Sequence, residues 1–140
     1  MYAASCNESY SRVIVSAFAS LLDPTVEEIA DIKTAVSEAV TNCVVHAYKD
    51  ETDCKKKKIY IEASYYADGE FVVSVRDKGC GIADIKKAME PLYTTDAANE
   101  RSGMGFAIME SFTDRLKVSS CVGKGTKVTM TKKLPPKPVL

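Results

Sequence analysis

The sequence predicts an α+β fold in two layers, with helices packed on one face of a mixed, largely antiparallel sheet. Helical patterns fill about the first third of the 140-residue chain, and alternating, strand-like patterns follow them. Two turn signals, Asp68-Gly69 and Gly123-Lys124-Gly125, each separate two alternating runs. Because strands joined by short turns pair in opposite directions, we expect most of the sheet to be antiparallel.

A first helix is predicted between a cap at Asn7 or Ser9 and the Asp23-Pro24 break, with its last residue near Leu22. Its apolar residues recur on one face, as in an amphipathic helix that packs on a core. These residues are Val13, Ala17 and Leu21.

A second, longer helix begins at a capping box, in which Thr25 precedes Glu28 by three residues. Its apolar residues fall within about 140° of a helical wheel, the width of a face that packs on a core. They are Ile29, Ile32, Val36, Ala39, Val40, Cys43, Val44 and Ala47.

Four strands are predicted from side chains that alternate between two faces. A short helix is expected at about 84–89, a third helix at about 103–112, and the last two strands at 116–121 and 126–130. The first two strands flank the Asp68-Gly69 turn. They place on one face Ile59, Ile61, Ala63 and Tyr65, and then Phe71, Val73 and Val75.

Composition indicates one globular domain, which we place at residues 1–132, followed by a disordered tail at 133–140. Hydrophobic residues make up 46% of the chain and charged residues 27%. The chain has 19 basic and 19 acidic residues, a balance that argues against nucleic-acid binding. We find no signal peptide and no apolar run of about 18 residues, so a cytoplasmic protein that does not bind membranes is expected.

The five cysteines contain no Cys-x-x-Cys pair, and His46 is the single histidine. This argues against a zinc site. Free thiols in a reducing compartment are expected instead.

Glu38 and Asn42 lie four residues apart on the second helix, opposite its apolar face. An amide oxygen is a suitable ligand for magnesium, and a carboxylate one turn away can accept a proton from an attacking hydroxyl. Taken alone, the pair is more typical of a solvated helix face.

Asp77 continues the inward phase of the strand that carries Phe71, Val73 and Val75. A carboxylate at the end of a buried face needs a donor, such as the exocyclic amine of adenine. Gly79 and Gly81 follow directly and allow the backbone to approach a ligand closely. An aspartate that merely begins a loop fits the same pattern equally well.

The stretch 91–102 is long for a connection and carries hydroxyl groups and an arginine, as a phosphate-binding lid does. Gly103-Met104-Gly105 then opens the third helix, where backbone amides suit an anion. A plain surface loop and a helix start explain these features too. The sequence contains neither a P-loop nor a dinucleotide fingerprint at this position.

In this order, the motifs resemble the Bergerat ATP-binding fold of gyrase, the ninety-kilodalton heat-shock chaperone and histidine kinases. The resemblance spans residues 7–132. The sequence resembles the sporulation anti-sigma F factors more closely, through four segments at 7–12, 37–42, 91–95 and 100–106. These read Asn-Glu-Ser-Tyr-Ser-Arg, Ser-Glu-Ala-Val-Thr-Asn, Pro-Leu-Tyr-Thr-Thr and Glu-Arg-Ser-Gly-Met-Gly-Phe.

The resemblance implies a role for each matching residue. Glu38 would be the catalytic base, Arg101 would reach the terminal phosphate, and Asn42 would bind Mg²⁺. Asp77 would contact the adenine amino group. Further ATP- or ADP-binding positions implied are Gly79, Gly81, Thr94, Thr95, Ser102, Gly103, Met104, Gly105, Phe106 and Thr126, and the implied partner contacts are Glu8 and Arg12.

The same resemblance implies a homodimer that holds a sigma factor of the sigma F type and phosphorylates a serine of an anti-anti-sigma protein. A kinase for a general-stress, sigma B type factor is one alternative. A non-catalytic module that sequesters a sigma factor and keeps ATP as a structural ligand is another. A detached histidine-kinase domain is disfavoured, because His46 lies within the second helix and no segment resembles a phosphoacceptor helix.

Overall fold

The structure, a computed structural model, describes residues 1–90 and 105–135. Within them one layer of helices covers one face of a four-stranded sheet. This confirms the α+β class expected from the sequence. Every pairing between the described strands is antiparallel, so no parallel pair supports the "mixed" part of that expectation.

Four α-helices are present in the described residues, namely α1 (Cys6–Ala19), α2 (Val26–Asn42), α3 (Ile85–Ala88) and α4 (Gly105–Ser111). The helical layer is formed mainly by α1, α2 and α4. Single 3₁₀ turns occupy Ser20–Leu22 and Cys54–Lys56, and α2 continues directly into a π-helical turn at Cys43–Ala47. Helix α2 lies in the middle of this layer, between α1 and α4.

The sheet has the strand order β1-β2-β4-β3. The strands are β1 (Ile59–Tyr65), β2 (Glu70–Asp77), β3 (Arg115–Cys121) and β4 (Gly125–Lys133). Gly69 adopts a φ of 91° in the turn between β1 and β2, as the Asp-Gly signal predicts. The two central strands, β2 and β4, pair from Glu70 opposite Lys133 to Arg76 opposite Lys127, and they carry the inner face that the helices cover.

The core lies between α2 and this inner face. Thr25 and Glu28 form the predicted capping box, with hydrogen bonds of 3.1 and 3.2 Å. The predicted apolar face of the second helix packs on the sheet as expected. Its fully buried members are Ile32, Val36, Ala39, Val40, Cys43 and Ala47, and they contact Phe71, Val73, Val75, Val128 and Met130 in one cluster.

The prediction of which face of the first helix is buried is wrong. Val13 and Leu21 are 62% and 69% exposed, and the side that packs on α2 carries Ser11, Val15 and Ala19 instead. The sequence does not show this buried row as an apolar period, because one of its members is a serine. Ser11 can be buried because its hydroxyl donates to the Glu8 carbonyl at 2.7 Å. Helix α1 and the 3₁₀ turn that continues it therefore present an exposed apolar row, which comprises Tyr10, Val13, Ile14, Ala17 and Leu21.

Strand β4 extends beyond the expected end of the domain at residue 132. Lys133 is its last residue, and the Leu134 side chain is buried in the core while its amide donates to the Gly69 carbonyl. Two residues assigned to the tail thus belong to the packed domain. All five cysteines carry free thiols. Within the described ranges, each helix is too short or too polar to cross a bilayer.

Candidate functional site

A cavity of about 350 Å³ opens between the end of α2, the loop after β2, and the starts of α4 and β4. Its size is that of a small-molecule site. The residues that line it come from three helices, the π-helical turn, two strands and the connecting loops. They are Ala39, Asn42, Cys43, His46, Ala47, Lys49, Val75, Asp77, Cys80, Gly81, Ile82, Ala83, Asp84, Ala88, Gly105, Phe106, Thr126 and Val128.

Asp77 lies at one end of this cavity, at the last position of β2, and its side chain is only 6% exposed. Its Oδ1 accepts hydrogen bonds from the backbone amides of Gly79 at 2.9 Å and Thr126 at 3.3 Å. The Cys43 thiol donates to Oδ2 at 3.6 Å. The carboxylate is thus held by three donors, and it can accept a further one from a ligand.

Burial dominates the electrostatics of this carboxylate. It raises the pKa of Asp77 above the usual value, while the hydrogen bonds from Gly79, Cys43 and Thr126 act in the opposite direction. Burial, and then the charge of Asp77, raise the pKa of the Cys43 thiol well above its ordinary range. Cys43 is therefore a neutral donor beside the carboxylate.

Tyr48 contacts the backbone on both sides of the Asp77 end of the cavity. Its hydroxyl donates to the carbonyl of Lys58, the residue before β1, and accepts from the Lys78 amide at 2.8 Å. Burial raises the pKa of the Tyr48 hydroxyl, and the charge of Asp77 adds to that effect. This contact fixes the backbone immediately after Asp77.

The loop of Gly79, Cys80 and Gly81 packs against the π-helical turn. The Cys80 amide donates to the Ala47 carbonyl at 2.8 Å, and a Cβ on Gly79 would lie 2.0 Å from the same oxygen. Gly81 has a φ of 76°, and a Cβ there would lie 2.3 Å from the Cys121 carbonyl oxygen. Both positions exclude a side chain, which explains the Gly-x-Gly spacing.

Replacing Gly79 with alanine is therefore expected to destabilise the protein by about 1–3 kcal/mol, because the new methyl group meets backbone that cannot move freely. Thermal unfolding measures this. Gly123→Asn is the matched control, since Gly123 has a φ of 80° that asparagine tolerates and open space around its Cβ position. A Gly79→Ala protein as stable as the control would contradict the close packing of this loop.

Asn42 marks the other side of the cavity, at the last position of α2. A Cβ on Gly105 would lie 3.1 Å from Asn42 Oδ1 and 3.3 Å from Nδ2, so the start of α4 rests directly on this amide. Among the described residues, no group of three or more histidine, cysteine or acidic side chains is arranged to hold a metal ion. The single hard oxygen of Asn42 fits Mg²⁺, which takes few protein ligands beside phosphate and water.

Glu38 lies one turn before Asn42 on α2 and is half-buried, outside the cavity lining. Its neighbour Ser37 is connected to α1. The Ser37 hydroxyl donates to Glu8 Oε1 at 2.7 Å, and Arg12 contacts that carboxylate at 3.5 Å and the hydroxyl at 3.3 Å. Both predicted partner contacts, Glu8 and Arg12, are therefore attached to the turn of α2 that carries Glu38.

The structure brings six of the predicted binding residues to one cavity, namely Asn42, Asp77, Gly81, Gly105, Phe106 and Thr126. Gly79 is not part of the cavity lining, but its backbone amide donates to Asp77 Oδ1. Sequence reasoning missed Cys43 and Tyr48, because a cysteine in an apolar stripe and a tyrosine at a helix end carry no motif signal. Thr94, Thr95, Arg101, Ser102, Gly103 and Met104 lie outside the described residues, so their roles stay predictions.

Solved structures with the same fold include the RsbU and RsbW domains of a Mycobacterium tuberculosis protein. That likeness has a TM-score of 0.69 at 22% identity and covers all of this chain, which spans 33% of the other. A blue-light activated histidine kinase from Erythrobacter litoralis gives a TM-score of 0.60 at 24% identity, over 90% of this chain and 41% of that one. At these identities the likeness shows the fold only.

Sequence comparison identifies the family. Residues 7–132 match the model of the histidine kinase-like ATPase domain. An anti-sigma F factor of Caldanaerobacter subterraneus subsp. tengcongensis is 54% identical over 126 residues, which cover 90% of this chain and 85% of that protein. An anti-sigma F factor of Clostridium acetobutylicum is also 54% identical, over 91% of this chain and 85% of the other. The chain therefore belongs to the histidine kinase-like ATPase domain family and, within it, to the anti-sigma F factors.

Proposed function

We propose that this chain is an ATP-dependent protein-serine kinase that sequesters a sporulation sigma factor of the sigma F type. In this proposal it phosphorylates a serine of the anti-anti-sigma partner of that sigma factor. The observation that supports it best is the cavity itself, with the buried Asp77 carboxylate at one end and the Asn42 amide against Gly105 at the other. The names of the 54% identical relatives support the sigma-factor part.

The base of ATP is assigned to the Asp77 end. An ionised carboxylate is an acceptor, so it suits the exocyclic amine of adenine and disfavours the oxygen that guanine carries at that position. The apolar walls, Val75, Val128 and Ala39, suit a purine ring. The phosphates then lie toward Asn42 and Gly105, where Asn42 would hold Mg²⁺. That ion, when bound, neutralises phosphate charge during transfer.

Glu38 is assigned the role of the catalytic base. Its carboxylate would accept the hydroxyl proton of the partner's serine as that oxygen attacks the terminal phosphorus, and ADP would leave as the bond from that phosphorus to the bridging oxygen breaks. The backbone of α2 places Glu38 one turn from Asn42, and the hydrogen bonds of Ser37 to Glu8 and Arg12 restrain that turn. A protein docked on Glu8 and Arg12 therefore touches the network next to the catalytic base.

Self-association is proposed for the exposed apolar row of α1. Apolar surface is left in water, as at interaction sites, by four residues of α1 and one of the 3₁₀ turn after it, namely Tyr10, Val13, Ile14, Ala17 and Leu21. A second copy that applies the same row would bury both surfaces in an isologous dimer. Glu8 and Arg12 lie on the same helix, so the sigma factor and the dimer partner would approach neighbouring surfaces.

Val13→Glu is expected to convert the dimer to a monomer, because it places a charge in the centre of the proposed interface. Sedimentation equilibrium measures the change. The matched control is Val26→Glu, at an 89% exposed position in the first turn of α2, where an acidic residue is favourable. If Val13→Glu sediments as the wild type does, the row on α1 is not the interface.

A labelling reaction tests the proposed function as a whole. The protein is mixed with ATP, magnesium and the anti-anti-sigma protein, and phosphoserine on the partner is identified by mass spectrometry. Binding of ATP without any labelling would favour the non-catalytic alternative. Pull-down with the two classes of sigma factor separates the sigma F assignment from a general-stress, sigma B type assignment.

A further inference from the structure

Cys43 begins the π-helical turn directly after Asn42, and its side chain is 4% exposed. Its thiol is the one side-chain donor to Asp77 among the described residues, since the other two donors are backbone amides. Both amides bond to Oδ1, whereas the thiol bonds to Oδ2. Cys43 therefore determines the environment of the carboxylate oxygen that the backbone does not hold.

A thiol at this position has a definite electrostatic effect. It is a weak donor on a polarisable atom, so it stabilises the ionised carboxylate while it packs as a small apolar group. Removal of the thiol would leave a buried oxygen without its donor, and a buried carboxylate in that situation takes up a proton more readily.

The protonation state of Asp77 decides which purine the cavity accepts. An ionised carboxylate accepts a hydrogen bond from a 6-amino group. A protonated carboxyl group carries an O–H that donates equally well to a 6-oxo group. Any contact that keeps Asp77 ionised and correctly rotated thus favours adenine over a 6-oxopurine.

We propose that Cys43 is a positioning residue for base recognition, whose thiol orients Asp77 as an acceptor and thereby sets the discrimination between 6-amino and 6-oxo purine nucleotides. This inference rests on the proposed function, because it takes a purine nucleotide as the ligand of the cavity. It adds a determinant outside the motifs that the sequence displays.

The environment of Asp77 contains other groups that titrate or carry charge. Cys43 and Tyr48 face the carboxylate from the π-helical turn and its end, and β4 contributes the Thr126 amide. His46, Lys49 and Asp84 line the same cavity. Because these groups other than Cys43 are the same in every variant, a comparison of variant with wild type at each pH isolates the contribution of the thiol.

The test compares the dissociation constants of ATP and inosine triphosphate, which carries a 6-oxo group, by calorimetry from mildly acidic to mildly alkaline pH. Cys43→Ala is expected to reduce the preference for ATP about three- to tenfold, the effect of one hydrogen bond to a charged group. The loss should be larger at acidic pH. Cys43→Ser, which restores a donor, should recover part of the preference, and Cys54→Ala controls for removal of an exposed thiol.

A second measurement needs no ligand. Carbon-detected NMR titration of Asp77 in the unliganded protein should give a higher pKa in Cys43→Ala than in the wild type. If Cys43→Ala weakens both nucleotides equally and leaves the Asp77 titration unchanged, Cys43 is only a packing residue and the inference is wrong. If the wild type itself binds ATP no better than inosine triphosphate, Asp77 does not select the 6-amino group and the inference is wrong, whereas a wild type that binds neither nucleotide would contradict the proposed function.

Discussion

Asp77→Asn is expected to weaken ATP binding about a hundredfold or more, and to leave the unliganded protein at least as stable as the wild type. Asparagine has the shape of aspartate, and its carbonyl can accept from the amides of Gly79 and Thr126 as Oδ1 does now. Its amino group then replaces Oδ2. That group is a donor, so it meets the adenine amine with a second donor and leaves both without an acceptor.

The stability half of this prediction follows from the pKa of Asp77. Burial raises that pKa in the folded protein above its unfolded value. For a carboxyl shifted in this direction, the contribution to stability is present below the unfolded pKa and is lost as pH rises through the folded pKa. At neutral pH the ionised Asp77 therefore opposes folding, and a neutral amide removes that opposition.

Calorimetric titration with ATP and thermal unfolding with and without ATP measure the two halves separately. Asp68→Asn is the matched control, since Asp68 accepts from the Glu70 amide in the β1–β2 turn, which is not part of the cavity lining. The assignment of the base to Asp77 is wrong if the variant binds ATP as tightly as the control does. A variant that unfolds more easily than wild type without ATP would contradict the stability argument.

The sequence predicts that Asp77 is buried, because the strand that carries it alternates strictly between apolar and other residues. Phe71, Val73 and Val75 are all buried, so the next residue in phase had to be buried as well, and the structure places it there. The capping box at Thr25 and the apolar face of α2 are predicted for the same reason. Local rules were sufficient wherever each residue of a pattern obeyed the period.

Prediction fails where polar atoms are satisfied locally or where packing decides between faces. On α1, Ser11 bonds to the carbonyl three residues before it and is buried, whereas Val13 is left in water. No periodicity separates these two outcomes, because the choice depends on the surface that α2 offers. The same holds for Cys43, which continues the apolar face of α2 into the π-helical turn and is also a side-chain donor to Asp77.

Hydrogen bonds that no motif shows join the proposed partner contacts on α1 to the turn of α2 that carries the proposed base. Glu8 and Arg12 bind Ser37, and Ser37 precedes Glu38. Occupation of α1 by a partner would therefore be sensed at the turn of α2 that carries the proposed base. The charged groups are partly exposed, so each contact is weak, and the effect rests on geometry more than on energy.

Glu38→Gln is expected to lower the rate of serine phosphorylation by about 10²- to 10⁴-fold and to change ATP affinity little. Glutamine keeps the length and shape of glutamate but cannot take a proton from the attacking hydroxyl. ATP affinity is expected to persist, because Glu38 lies outside the residues that line the cavity, and Asp77 and Asn42 are unchanged. This combination distinguishes a base from a binding residue.

Single-turnover labelling of the anti-anti-sigma protein measures the rate, and calorimetry measures ATP binding on the same samples. Glu27→Gln is the matched control, an exposed glutamate in the first turn of the same helix. A rate that falls because of reduced affinity would instead identify Glu38 as a binding residue. Phosphorylation by Glu38→Gln at the rate of the control would show that the serine proton is taken by another group, and the role of α2 in the reaction would then be limited to Asn42.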